Sequence, residues 1–125
     1  MISFFEKHNK LSWAVTTIIS IIIFTLSSIA FEGGYGIATN TNSIIYHFTA
    51  FFFLGAFLLI SLLEGKKSYS LLFLGIIIAI VYGITDEIHQ FFVPGRYCSI
   101  FDASVDSIGV LFAGVIYFVK IRLGE

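Results

Sequence analysis

Charge is scarce in this chain. Seven Lys and Arg and eight Asp and Glu make up 12% of 125 residues, whereas 58% are hydrophobic, and mean hydropathy is +0.97. A water-soluble domain carries about a quarter of its residues as charges. There are too few here to coat a sphere in water, so part of the solvent must be lipid. A net charge of -1 supplies no basic face, and nucleic acid is not an expected partner. Cys98 is the only cysteine, which excludes an intrachain disulfide and any Cys-based zinc site. No H-E-x-x-H helix, phosphate loop or Ser-His-Asp elbow is present, nor any internal repeat, low-complexity tract or linker. The length suits one domain, residues 1–125.

What is present are long apolar runs. A helix needs about 20 such residues to cross the hydrocarbon core. Leu11 to Phe31 carries no charge. After it, Gly33, Gly34, Gly36, Asn40 and Asn42 break the pattern, leaving Ser43 to Leu63 as the second span. The third begins after Ser68 and continues to Phe92, before Pro94-Gly95. The fourth runs from about Asp102 to Lys120 or Arg122. The expected fold is all-α, an antiparallel bundle of four transmembrane helices at about 11–31, 43–63, 69–92 and 101–122. The short joining loops force antiparallel neighbours.

Lys7, Lys10, Lys66, Lys67, Lys120 and Arg122 share one side of this arrangement, against Glu32 and Arg96 on the other. The positive-inside rule then makes the chain a multi-pass protein of the cell membrane with both termini cytoplasmic. A competing reading takes the first span as a secretory signal cut near Ser28-Ile29-Ala30. Its apolar run exceeds the usual 7–15 residues of such signals.

The polar residues concentrate in one stretch, VYGITDEIHQFFVPGRYCSIFDASVDSIG, residues 81–109. In the four-helix topology Asp86, Glu87, His89 and Gln90 end helix three, Arg96 sits in the loop, and Asp102 and Asp106 begin helix four. His47, early in helix two, lies at the same level. Asp102 and Asp106, four apart, share a face that Gly109 and Ala113 continue; small residues there let helices approach. Gly75, Ala79, Tyr82, Asp86 and His89 form one bundle-facing stripe, with Gly83, Glu87 and Gln90 beside it. Lipid should then meet Ile76, Ile77, Ile80, Ile84 and Phe91. Ser99 followed by Asp102 resembles a capping box starting a helix at Ile100. An ionised Asp at a helix centre costs about 2.5–3.5 kcal/mol on insertion scales. Four carboxylates in one layer therefore call for Arg96, His47, His89, a bound cation or water.

Each residue also has a plainer reading. Asp102 can be a helix cap, Arg96 a loop clamp paired with Asp102 or Asp106, and the histidines core or interfacial groups. Gln90 can be an interhelical hydrogen bond, and Gly109 a packing residue. Trp13, Tyr35, Tyr46, Tyr97 and Phe4 read as interfacial anchors. Glu6, Glu64 and Glu125 read as solvated charges, Phe51, Phe52, Phe53 and Phe57 as lipid-facing or packing bulk, and Cys98 as incidental.

Asp86-Glu87-Ile88-His89-Gln90, then Pro94-Gly95-Arg96, then Asp102 and Gly109, resembles the signature of the VanZ family. These are small bacterial membrane proteins named after one associated with resistance to teicoplanin, a lipid-tailed glycopeptide. His47 before an aromatic-rich span resembles the family's upstream histidine. The similarity covers roughly residues 40–119, helix one matching in length and position only. Two departures stand out. Ser43 and Ile44 occupy the places of an acidic-lysine pair, and Asp106 that of an asparagine. Both make the layer more negative, which favours a cation.

The resemblance implies a cell-envelope role without a mechanism. The first expectation is a non-enzymatic binding protein with no cofactor. Its layer of His47, Asp86, Glu87, His89, Gln90, Arg96, Asp102 and Asp106 would engage an envelope lipid or lipid-linked cell-wall precursor. Susceptibility to lipoglycopeptides such as teicoplanin would fall as a result. The alternative is a metal-assisted hydrolase or transferase acting on a lipid-linked headgroup, with a divalent cation held by the same donors. Transport ranks last, because the basic half lacks matching ionisable residues. Gly and Ala patches on helices two to four are compatible with a homo-oligomer.

Overall fold

Local sequence signals set the helix ends in a computed structural model of the protein, in which residues 1–30 and 41–124 are described. The order is α1 (Ile2–Lys7), α2 (Asn9–Ser27), α3 (Thr41–Leu63), α4 (Tyr69–Phe91) and α5 (Ile100–Leu123). Among the described residues there are four helices, α2 to α5, long and apolar enough to cross a membrane. At about 1.5 Å per residue, the 23 residues of α3 and of α4 span the hydrocarbon core.

Serine caps open two of these helices. Ser68 Oγ accepts from the Leu71 amide at 3.3 Å to start α4, and Ser99 Oγ accepts from the Asp102 amide at 3.1 Å to start α5. Gly124, at φ 81°, closes α5 in the left-handed conformation that glycine adopts without strain. The expected α5 start at Ile100 is met. The first span differs. It begins at Asn9, follows a short N-terminal helix that hydropathy alone did not separate, and its helix ends at Ser27 rather than Phe31. Phe31, Glu32, the glycines at 33, 34 and 36, Tyr35 and Asn40 lie outside the described residues, as does Glu125.

Contacts across the bundle fix its topology. The N-terminal parts of α3 and α5 meet through His47 and Asp106, while their C-terminal parts share a cluster containing Leu63 and Ile121. These two helices are therefore parallel to each other. The C-terminal ends of α2 and α4 meet the same polar end through Ser27 and Asp86, so each runs antiparallel to α3. A central cluster of Ile23, Phe51, Leu54, Leu58, Ala79 and Val110 fills the middle. Leu59, Ile60, Leu63, Leu72, Tyr117 and Ile121 fill the half toward the basic end.

The α3–α5 seam is the closest. A Cβ at Gly109 would lie 2.5 Å from Phe48 O and 3.0 Å from Phe52 N, and one at Gly55 would lie 3.3 Å from Val110 Cα. Backbone meets backbone here, the contact that small residues permit within a membrane.

Of the expected lipid-facing residues on α4, Ile77, Ile84 and Phe91 are exposed. Ile76 and Ile80 are not: both pack partly buried against the central cluster. Gly114 is the reason for Ile76, because a Cβ there would stand 2.6 Å from the Ile76 Cδ1 that takes its space. Phe51 is core and Phe53 is exposed. Trp13, Tyr46, Tyr97 and Phe4 are all exposed.

Glu6 corrects the expectation of a solvated charge. It accepts from Lys120 Nζ at 2.8 and 3.0 Å and from the Tyr117 hydroxyl. The Glu6 and Lys120 side chains are only 8% and 13% exposed, so α1 is tied to α5 by a largely desolvated pair. Glu64 behaves more as expected. It is partly exposed, with Lys66 at 3.2 Å and Asn9 donating to it.

Candidate functional site

Six of the eight sequence-predicted residues are buried in one layer at the end of the bundle opposite the basic residues: His47, Asp86, Glu87, Gln90, Asp102 and Asp106. Helical spacing explains how. Asp102, Asp106, Gly109 and Ala113 form one buried face of α5, and Asp86, Glu87 and Gln90 end the buried face of α4. His47 is the buried residue of α3 nearest its N-terminus.

His47 Nδ1 lies 2.9 Å from Asp106 Oδ1, with both side chains nearly inaccessible. A buried carboxylate thus lies directly beside an imidazole. Such a pair is destabilising to break, because the remaining charge is left without compensation.

Gln90 joins the other groups. Its Nε2 donates to Asp86 Oδ2 at 3.2 Å and to Glu87 Oε1 and Ser27 Oγ at 3.5 Å. Its Oε1 accepts from Arg96 Nη1 at 3.5 Å. One amide thus links the loop cation to two carboxylates. This fulfils the plainer reading of Gln90, whose amide supplies both donor and acceptor at one position.

Arg96 departs from the expected carboxylate pairing. Its Nη2 donates to Leu26 O at 2.7 Å and its Nε to Ile29 O at 3.1 Å. These carbonyls lie at the C-terminal end of α2, where unsatisfied oxygens and the helix dipole favour a cation. Arg96 therefore clamps the α4–α5 loop onto α2 while touching the polar layer through Gln90.

His89 is the other departure. It is half-buried, bonded through Nε2 to Ser28 Oγ at 2.9 Å and stacked on Phe24 with centroids 4.7 Å apart. Three residues beyond Asp86 is an imperfect repeat of the helix, and that offset turns the imidazole toward α2 and away from His47.

The first span contributes what sequence reasoning missed. Ser27 Oγ donates to Asp86 Oδ2 at 2.7 Å, buried. The signal was available in the Ser27-Ser28 pair at the end of an apolar run, at the same depth as Asp86. In the sequence reading Ser28 belongs only to the candidate cleavage site Ser28-Ile29-Ala30, and Ser27 has no role.

Ser99 completes the layer in an unexpected way. A full capping box would have the Asp102 carboxylate accept from the Ser99 amide. That amide instead donates to Glu87 Oε2 at 2.9 Å. Glu87 thereby pins the start of α5 to the end of α4, and Asp102 is released from its local role. Three buried carboxylate oxygens have no hydrogen-bond partner among the described residues: Asp86 Oδ1, Asp102 Oδ1 and Asp106 Oδ2. A buried polar atom of this kind costs about 1–3 kcal/mol when nothing satisfies it. Donor atoms of His47, Glu87 and Asp106 all lie within 4.8 Å of one another.

Glu87 also borders a groove of about 520 Å³ between α4 and α5. Its apolar walls are Ile84, Ile88, Ile100 and Ile108, with Ser99 at the polar end. All four isoleucines are exposed, so the groove opens on the apolar outer surface of the bundle.

No curated protein and no solved structure matches the chain. The family VanZ/LLP1 matches residues 3–121, which extends the resemblance seen over residues 40–119 to the first helix as well. Four helices long and apolar enough to cross a membrane agree with that match, and the chain belongs to the VanZ/LLP1 family.

Proposed function

We propose that this VanZ/LLP1 protein is a binding protein of the cytoplasmic membrane. Its polar end would face outward and receive the headgroup of an envelope lipid or lipid-linked cell-wall precursor. Lys7, Lys10, Lys66, Lys67, Lys120 and Arg122 at the opposite end support this orientation, with both termini cytoplasmic. The carrying observation is the α4–α5 groove, whose isoleucine walls suit an acyl or prenyl tail and whose inner end reaches Glu87 and Ser99. A lipid-linked ligand would lay its tail on Ile84, Ile88 and Ile108 and bring its headgroup to the buried layer. Arg96, in the loop between these helices and hydrogen-bonded to Gln90, would be the group for a phosphate or carboxylate. Lipid-tailed glycopeptides such as teicoplanin dock on the same membrane surface, so occupancy of that surface would lower susceptibility to them.

The test measures binding of envelope lipids and precursor to purified protein in nanodiscs, and teicoplanin susceptibility of cells expressing each variant. Ala103 lines the groove away from the hydrogen-bonded layer, so Ala103→Phe fills it without removing a polar contact. Both Ala103→Phe and Arg96→Ala should reduce binding and restore susceptibility. Unchanged binding and susceptibility in both variants would refute the proposal. A second reading, metal-assisted hydrolysis or transfer on such a headgroup, draws on the closeness of His47, Glu87 and Asp106. Turnover of the bound precursor is its discriminating readout.

A further inference from the structure

We infer that His47, Glu87 and Asp106 form a binding site for a first-row divalent cation of the manganese-to-zinc series. The three come from α3, α4 and α5, so the site would staple three helices at one point. The inference deepens the headgroup reading and rests on it only for what the ion would meet.

Three observations carry it. First, the donor atoms lie within 4.8 Å of one another, and all three residues are buried. Ligands about 2.1 Å from a tetrahedral ion stand about 3.4 Å apart, so small side-chain rotations would close the trio. Second, Asp106 is 1% exposed, yet its Oδ2 has no hydrogen-bond partner among the described residues. A cation accounts for that oxygen where the neighbouring side chains do not. Asp102, one turn earlier on the same face of α5, is 8% exposed and presents a second such oxygen, Oδ1. Third, the local charge is unbalanced. Asp86, Glu87, Asp102 and Asp106, four acidic side chains, share the buried layer with the one imidazole of His47. Buried carboxylates without compensation are costly, and a divalent ion supplies two charges at one point.

The donor set selects the ion. One imidazole nitrogen with two carboxylate oxygens suits manganese, iron or zinc better than an all-oxygen calcium cage. Three protein ligands leave coordination positions unfilled by protein, as in sites that exchange water for a ligand. Glu87 belongs both to the trio and to the groove wall, so those positions would meet an anionic oxygen entering from the groove. The ion would thereby reconcile an acidic layer with an anionic headgroup.

The experiment uses the full chain in detergent micelles without added lipid. Protein is stripped with chelator, dialysed against manganese, zinc, magnesium or calcium chloride, and its metal content measured. The expected result is about one manganese or zinc ion per chain, with affinity reduced about tenfold or more in Asp106→Asn. That substitution keeps the side-chain shape and one oxygen toward His47, and helical circular dichroism checks that it folds. A second readout is thermal: the metal should raise Tm of the parent protein by mass action and not that of Asp106→Asn. Glu64→Gln, at the other end of the bundle, should behave as the parent. Absence of stoichiometric metal, or equal uptake by parent and Asp106→Asn, overturns the site. Metal uptake that does not improve headgroup binding in nanodiscs upholds the site and counts against the headgroup reading alone.

Discussion

Gly109→Ala perturbs the tightest seam in the bundle and the candidate site together. The new Cβ would sit 2.5 Å from Phe48 O and 3.0 Å from Phe52 N, whereas ordinary van der Waals contact begins near 3.4 Å. The shortfall is about 0.9 Å, and both opposing atoms are helix backbone that cannot swing aside, so α3 and α5 must separate. Overpacking of this kind costs about 1–3 kcal/mol. The consequence reaches the polar layer because Phe48 adjoins His47 and Gly109 lies three residues beyond Asp106. A separation of about 0.9 Å would stretch the 2.9 Å contact between His47 and Asp106 beyond useful hydrogen-bond range. Thermal unfolding in detergent, followed by circular dichroism, should show Tm lowered by several degrees, together with weaker metal uptake. Gly75→Ala is the control. Its Cβ would meet Leu59 Cδ2 at 2.7 Å, the end of a flexible side chain that can rotate away. Equal Tm for Gly109→Ala and the parent protein would refute the close-packed α3–α5 seam.

Lys120→Met should destabilise the protein by about 1–3 kcal/mol, less than the full cost of breaking a deeply buried pair because both partners retain some solvent contact. A double-mutant cycle with Glu6→Gln measures it: coupling near zero would mean that α1 is not held to α5 by this pair. The proposed orientation puts Cys98, an exposed thiol, outside the cell. A membrane-impermeant maleimide should label it in intact cells and fail with Cys98→Ser. Labelling only after permeabilisation would invert the topology.

The membrane class, the four spans and the level of the polar residues were legible in the sequence because they depend on composition, run length and helical period. These are properties of short stretches. The faces of α5 and most of α4 followed in the same way, since Asp102, Asp106, Gly109 and Ala113 keep the four-residue step of a helix. The error at Ile76 has a tertiary origin. Ile76 differs from Ile77 only in whether a glycine, Gly114, lies opposite, and no local pattern contains that fact.

Contacts between distant segments belong to the tertiary structure alone. Glu6 and Lys120 are 114 positions apart, and Ser27 and Asp86 are 59 apart. Sequence could assign antiparallel order to successive helices, because short loops leave little choice. It could not say that α3 and α5, parallel and not consecutive, would approach most closely. That pairing follows from backbone meeting backbone at Gly109 and Gly55, and it decides which acid stands beside His47. Hydropathy records how strongly a residue prefers lipid to water; only packing, in which each helix excludes volume from the others, determines which polar groups share one enclosed space.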